Sequence, residues 1–181
     1  MTLPSARRTI PPPAPGEFPP YAAMYIDLLP RDGRVLDHLE RQALLVQEVF
    51  GAMPAEVLGY RYAPGKWTPG EILLHVIDDE RIYAYRALRF ARGDATELAG
   101  FDQDPYAAAS GAELRTVESL LEEHAAVRRS TVTLFANLPE AALARGGVAN
   151  GAHVTVRALA YHIAGHELHH LNVLRHRYLA R

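Results

Sequence analysis

The sequence predicts an all-α fold, a four-helix bundle. Four long segments repeat apolar residues with the 3.6-residue period of an α-helix. Three of these segments begin at a predicted capping residue, and no segment is a confident strand. Four amphipathic helices bury their apolar faces most simply against one another. At 181 residues the chain is long enough to form one domain with a substantial core.

A proline-rich segment precedes the helices. Residues 1–20 hold seven of the thirteen prolines, so this part of the chain has few amide donors and should be extended or disordered. It could serve as a ligand for an SH3-like partner, but a surface arm packed on the domain is favoured. We therefore predict an N-terminal arm at 1–30 and a bundle domain at 31–181.

The first two helices have distinct start signals. Asp32 is the predicted N-cap of the first helix, and Pro54 closes it. Thr68 to Glu71 form a capping box with proline at the first helical position, which predicts a second helix that runs to about Arg92, before Gly93.

The second half of the chain contains two long connections. Residues 93–110 are too long for a simple turn and are a candidate lid over a site. Ser110 to Glu113 form a second predicted capping box, for a third helix that ends before Pro139. Residues 146–155 form a glycine-rich loop with its turn at Asn150-Gly151, and the last helix begins near Thr155.

The last helix carries a cluster of histidines. Ala160 to Leu174 reads A-Y-H-I-A-G-H-E-L-H-H-L-N-V-L, and His166 and His170 lie on its apolar stripe at positions i and i+4. That spacing lets two imidazoles reach one divalent ion, although a pair of hydrogen-bonded core histidines would show the same spacing. The remaining histidines of this region lie at the edge of the stripe and are poorer candidates for the interior: His162, His169 and His176.

The same residues fit the H-E-x-x-H pattern of zincin proteases, with Glu167 as the general base. In a metzincin a glycine turn would follow, but Val173 stands at that position, so the helix continues and His176 lies about 15 Å from His166 along the axis. No carboxylate follows His170. A third ligand must therefore come from upstream, which argues against a zincin protease.

His75 in the second helix is the upstream candidate. It lies at the edge of the apolar face, and Asp79 follows four residues later, where it could orient the imidazole ring. Alone, His75 would be a boundary histidine paired with Asp79; beside His166 and His170, it completes a three-histidine set. His124 in the third helix is a reserve ligand, for which a hydrogen-bonded core role is favoured.

Composition restricts the possible functions. The formal charge of -2 and pI near 6.5 give no electrostatic reason to expect binding to nucleic acid or to an anionic membrane. The absence of a membrane-length apolar run and of a secretory signal leads us to expect a cytoplasmic protein. The chain has no cysteine, so any thiol chemistry must use a thiol that binds from outside.

Several ordered motifs resemble one known family. They are A-P-G-K-W-T-P-G-E-I-L-L-H, D-D-E-R-I-Y-A-Y-R-A-L-R-F-A-R-G-D, G-F-D-Q-D and R-A-L-A-Y-H-I-A-G-H-E-L-H-H-L-N-V-L. Over residues 30–178 the chain resembles the DinB-like superfamily of metal-binding four-helix bundles, closest to metal-dependent hydrolases of the YfiT type. The resemblance implies nickel or zinc at His75, His166 and His170, a homodimer, and relatives that transfer bacillithiol or mycothiol.

Three functions remain open from the sequence. The leading hypothesis is a metal-dependent S-transferase that adds a low-molecular-weight thiol such as bacillithiol to a small molecule. The second is a hydrolase that uses a metal-activated water, with Glu167 or Asp79 as the base. The third is a non-catalytic metal-binding module of a stress response.

Overall fold

The computed structural model describes residues 8–179 and confirms the all-α four-helix bundle. The long helices are α2 (Val35–Gly51), α4 (Pro69–Ala91), α6 (Val117–Ala136) and α7 (Val156–Leu174). The short helices are α1 (Ala23–Ile26), α3 (Ala55–Leu58) and α5 (Gln103–Ala108). Turns of 3-10 helix span Pro20–Ala22, Ala112–Leu114 and Glu140–Ala142, and a π-helical turn spans Arg175–Leu179.

The four long helices enclose one core in a fixed order. Helix α4 packs against α6 and α7, and α2 packs against the same two helices, so the order around the bundle is α2, α6, α4, α7. This arrangement places α4 beside α7, the two helices that carry the histidines of interest. Within residues 8–179, no helix combines the length and apolarity needed to cross a membrane.

Side-chain caps fix the starts of the two helices that carry the histidines. The Thr68 hydroxyl accepts a hydrogen bond from the Glu71 backbone N–H at 3.1 Å, and the Glu71 carboxylate accepts one from the Thr68 N–H at 2.7 Å. This is the predicted capping box of α4. Thr155 caps α7 through a bond from the Ala158 N–H at 3.3 Å, which confirms the predicted start of that helix.

Two other predicted caps are wrong. Asp32 accepts a hydrogen bond from the Arg34 N–H, and it does so one turn before α2, whose N-cap is Arg34 itself. Gly111 adopts a left-handed φ of 67° and leads into a 3-10 turn, so the segment predicted as a capping box does not start α6. Thr116 caps that helix, six residues later than predicted, by accepting a bond from the Ser119 N–H.

The glycine-rich loop before α7 is a β-hairpin: its turn lies at Asn150-Gly151 as predicted, but its two strands were not predicted. Strands β1 (Gly146–Ala149) and β2 (Ala152–Thr155) pair antiparallel. Asn150 and Gly151 have φ values of 53° and 70°, as a tight two-residue turn requires. Gly147 lies against Phe90 of α4, where an added Cβ would be 2.3 Å from the ring. The hairpin can therefore approach the bundle closely.

The described part of the proline-rich arm packs on the bundle. Ile10 is fully buried, its N–H donates to the Gly33 carbonyl, and its own carbonyl accepts from the Tyr161 hydroxyl. Helix α1 crosses α7 at Gly165, where an added Cβ would be 2.2 Å from the Tyr25 carbonyl oxygen. The first seven residues of the arm lie outside the described residues, and the 30/31 domain boundary stays a prediction.

Candidate metal centre

Three histidines from α4 and α7 meet inside the bundle. His166 Nε2 lies 3.0 Å from His75 Nε2 and 3.1 Å from His170 Nε2. One donor atom from each of the three residues lies within 4.8 Å of the others. His75 and His166 are buried and His170 is partly buried. The helical register predicted from the sequence thus brings together all three proposed ligands.

The donor set fits a divalent ion. Two imidazole nitrogens that each bind one ion at about 2.0–2.1 Å are themselves roughly 3.0–3.4 Å apart. Burial lowers the pKa of His75 and His170, and it lowers that of His166 to about 3, so these rings are neutral at pH 7 and their lone pairs are available. Three converging lone pairs cannot all satisfy one another by hydrogen bonding, but one cation satisfies all three.

Asp79 lies behind His166 instead of behind His75. Its Oδ2 atom is 3.3 Å from His166 Nδ1, without the alignment of a hydrogen bond, and 3.6 Å from His162 Nε2, which is too long for one. Burial raises the pKa of Asp79, but the adjacent imidazoles more than offset this effect and bring it to about 2. The predicted orientation of the His75 ring by Asp79 is therefore wrong, since the carboxylate faces the opposite helix.

Two cavities adjoin the histidines. One, of about 340 Å³, is lined by His166 together with Asp79, Tyr83 and Arg86. The other, of about 280 Å³, is lined by His170 together with Trp67 and Tyr178. Gln103 at the start of α5 lines both. The connection at 93–110 therefore lies over the site, as expected of a lid, and part of it is folded as α5.

Comparisons with known proteins identify the family and the fold. The sequence model of the DinB superfamily matches residues 38–174, a segment that contains all three histidines. The chain belongs to the DinB superfamily. Its structure is similar to that of YfiT from Bacillus subtilis, with 16% identity, a TM-score of 0.72, and coverage of 81% of this chain and 87% of that one. YfiT is described as a probable metal-dependent hydrolase with an unusual four-helix bundle topology. No curated protein matches the sequence.

The segment that matches the DinB superfamily does not include the arm, yet the arm changes the surroundings of the histidines. The Tyr25 ring makes edge contacts, with centroid distances of 5.2–5.3 Å, to His162, His166 and His169. His162 also stacks on Tyr83 at 3.9 Å and is 4% exposed. The prediction that His162 is a poor candidate for the interior is wrong, because the arm covers that edge of α7. His169 remains partly exposed and His176 exposed, in line with the prediction for them.

Glu167, one of the two predicted bases, does not line either of the two cavities of about 340 and 280 Å³ beside the histidines. It is 1% exposed, and its carboxylate accepts hydrogen bonds from Arg128 at 2.8 and 3.0 Å and is 2.6 Å from His124 Nε2. Burial raises the pKa of Glu167, but Arg128 and His124 outweigh it and hold the pKa at about 2. The reserve ligand His124 thus has a hydrogen-bonded core role.

Arg128 and Glu80 complete this buried cluster, and the sequence reasoning missed both. Arg128 donates to the Glu80 carboxylate at 2.8–3.2 Å and to the Leu39 carbonyl at 2.6 Å. The oxygens of Glu80 and Glu167 and a nitrogen of His124 lie close enough to hold a cation, and the guanidinium of Arg128 supplies that charge. The available signal was the spacing, since Arg128 lies one helical turn after His124.

Proposed function

We propose that this protein is a divalent-metal-dependent enzyme that binds its ion through His75, His166 and His170 and transfers a low-molecular-weight thiol to a small electrophile. The observation that carries the proposal is the convergence of three neutral imidazole Nε2 atoms, from two buried histidines and one partly buried histidine, between two cavities. Three imidazoles are the ligand set of catalytic sites that keep coordination positions open. Nickel and zinc both suit imidazole.

Residues around the histidines orient and shield the proposed metal ligands. A bound ion would supply Lewis acidity, which lowers the pKa of a coordinated water or thiol. Asp79 favours the His166 tautomer that carries its proton on Nδ1, so that Nε2 presents its lone pair to the site. Tyr25 of the arm covers the outer side of His166 and keeps water from that side of the ring.

The two cavities favour a reaction with two organic substrates. One adjoins His166 and the other adjoins His170, so two molecules could approach the same centre from different sides. In the proposed transfer, the S–H bond breaks and its proton leaves to solvent. A carbon–sulfur bond forms, and the leaving group of the electrophile departs with its bonding electrons. The thiol, for which bacillithiol is the candidate, comes from outside because the chain has no cysteine.

Hydrolysis is the second candidate, and Asp79 favours it. Asp79 belongs to the lining of the 340 Å³ cavity beside His166, and its pKa of about 2 keeps the carboxylate ionised at neutral pH. A carboxylate so placed could accept a hydrogen bond from a water that attacks an ester or amide. Glu167 is a weaker candidate for this role, since Arg128 and His124 occupy its carboxylate.

Metal content tests the ligand set. We expect His75→Ala, His166→Ala and His170→Ala each to lose the stoichiometric ion, measured by elemental analysis after dialysis against nickel or zinc. The matched controls replace histidines of α7 and the following turn that lie outside the set, and we expect them to keep the ion: His169→Ala and His176→Ala. Wild-type metal content in His166→Ala would refute the assignment.

The spectrum of the cobalt-loaded protein separates transfer from hydrolysis. If a thiol binds at the ion, adding bacillithiol or a simpler thiol should produce a sulfur-to-metal charge-transfer band, because thiolate is a strong donor to such ions. An unchanged spectrum at saturating thiol, together with turnover of an ester or amide, would favour the hydrolase. Failure of both assays would leave a metal-binding module without catalysis.

The proposed assembly is a homodimer, which the family resemblance supports. Sedimentation equilibrium of the metal-loaded protein tests it, with an expected mass of twice the 20.0 kDa of one chain. A single species of 20.0 kDa at micromolar concentration would contradict the dimer.

A further inference from the structure

We infer that Arg86 is the anchor of a carboxylate-binding subsite in the 340 Å³ cavity, so that one substrate is a small molecule with an aromatic or apolar body and a carboxylate. The assignment of this molecule as a substrate rests on the proposed function. The subsite itself rests on the position of Arg86 and on the groups that surround it, independently of whether an ion is bound.

Arg86 is a buried cation without an anionic partner among residues 8–179. The residue is 5% exposed, one guanidinium nitrogen donates to the Ala99 carbonyl at 3.0 Å, and the guanidinium carbon lies 4.9 Å from the centre of the Tyr83 ring. Arg128, which is buried to a similar extent, pairs with two carboxylates. Burial of a charge without a counter-charge is costly, so an unpaired buried arginine favours an anion from outside.

The guanidinium retains free hydrogen-bonding capacity on the cavity side. It has five N–H groups, of which the Ala99 carbonyl takes one. None of its nitrogens is among the fully buried atoms that lack a partner, and the side chain lines the cavity. Its remaining N–H groups are therefore accessible through the cavity, where a carboxylate could accept two of them side by side.

The distance from Arg86 to the histidines is one that a small molecule can span. Arg86 follows Asp79 by seven residues, so the two lie on one face of α4, on the order of 10 Å apart along the axis. Asp79 marks the end of the cavity where His166 lies. A molecule whose carboxylate binds Arg86 would thus extend its other end toward the three histidines.

The remaining lining suits an aromatic or apolar body. Among the described residues, Arg86 is the only lysine or arginine that lines this cavity. The aromatic side chains of the lining are Tyr21, Tyr25, Tyr83 and Phe101. Two acidic residues line the cavity: Asp79, at the end where His166 lies, and Asp102. Asp102 accepts a hydrogen bond from the Asp104 N–H at the start of α5 and is exposed. Its charge is therefore screened by solvent.

Backbone contacts hold the wall that orients Arg86. Leu98 N–H donates to the Val148 carbonyl at 3.0 Å, and Asn150 N–H donates to the Leu98 carbonyl at 2.9 Å. These bonds fix the segment that precedes Ala99 to the hairpin. The carbonyl that positions the guanidinium is thus part of a folded wall, which reduces the ordering that a ligand must impose.

Titration of the metal-free protein with two matched probes tests the subsite. Benzoate and benzamide have nearly the same shape, but only benzoate is an anion. By calorimetry we expect the wild type to bind benzoate at least about tenfold more tightly than benzamide, and this preference to decrease as salt is added. Arg86→Gln should abolish the preference. Arg92→Gln, which removes an exposed arginine from the end of α4, is the control and should retain it.

The outcomes distinguish the subsite from the metal centre. His75 does not line this cavity, so His75→Ala should keep the preference for benzoate even though it loses the ion. The absence of a preference in the wild type would overturn the proposal whatever the variants do. A preference that persists in Arg86→Gln would also overturn it. If the wild type binds no metal but keeps its preference for benzoate, the metal assignment alone is refuted.

Discussion

Replacement of Arg128 by methionine should destabilise the protein strongly at neutral pH. Arg128 is 3% exposed and lies between the carboxylates of Glu80 and Glu167, each 1% exposed. Methionine retains much of the side-chain length but removes the charge. Two buried carboxylates would then face each other without a cation, and His124 would be the remaining group in contact with Glu167.

Two arguments give the size of the expected loss of stability in Arg128→Met. The fall of the Glu167 pKa from 4.5 to about 2, which burial opposes and to which the charge of Arg128 is the largest single contributor ahead of His124, corresponds to roughly 3.5 kcal/mol at about 1.4 kcal/mol per pH unit. Removal of one partner from a buried ion pair generally costs about 3–5 kcal/mol. We therefore expect the free energy of unfolding to fall by about 3–5 kcal/mol at pH 7, which lowers Tm by on the order of 10 °C.

The stability difference between the wild type and Arg128→Met should decrease as the pH falls. A folded-state pKa below the unfolded value stabilises the wild type above about pH 4.5, and this contribution is lost as the pH falls toward 2. In Arg128→Met the buried Glu167 carboxylate loses its cation, so its pKa should rise and the variant recovers stability as this carboxylate becomes protonated. The difference between the two proteins should therefore be largest at neutral pH and should narrow by about half or more at pH 3.

Urea unfolding of the metal-free proteins at pH 7 and pH 3 measures both quantities. Arg81→Met is the matched control, since Arg81 pairs with Glu123 at an exposed position and should cost less than about 1 kcal/mol. The reasoning is refuted if Arg128→Met is as stable as the control at pH 7. A difference from the wild type that is the same at both pH values would refute the electrostatic explanation.

Two further substitutions test the surroundings of the histidines. Asp79→Asn should leave the fold intact and weaken metal retention about 10–100-fold in competition with a chelator, because it removes the carboxylate that faces His166; an unchanged affinity would contradict this role. Gly165→Ala should displace the arm, since its Cβ would overlap the Tyr25 carbonyl, and should lower stability by about 1–3 kcal/mol and speed proteolysis of the arm. Gly51→Ala, where an added Cβ meets nothing within 4 Å, is the control, and equal cleavage of both variants would contradict the overlap.

Local patterns predicted the helices and the convergence of three histidines. The Thr68 capping box and the Thr155 cap depend on residues within one turn, so the sequence contains all that is needed to recognise them. The i, i+4 spacing of His166 and His170 likewise follows from helix geometry alone. His75 could be added because an apolar face on a second helix must meet the first in a bundle.

Features that depend on contacts between distant segments were not predictable in this way. Which imidazole Asp79 meets depends on how α4 and α7 are aligned, and periodicity does not determine that alignment. The burial of His162 depends on an arm whose proline content gives no indication of where it packs. Arg128 pairs with residues 48 and 39 positions away, on two other helices. The hairpin strands have four residues each, too few for a clear alternation.

The position of Tyr25 affects how the specificity of the proposed site can change during evolution. It lies outside the family match at 38–174, yet it contacts His166 and lines the 340 Å³ cavity. Selection can therefore keep the three histidines and the four long helices while it replaces the arm, which alters one wall of the cavity without disturbing the bundle. Relatives that share the three histidines could therefore differ in the molecules that they bind because their arms differ. A comparison restricted to the shared bundle domain would miss that difference.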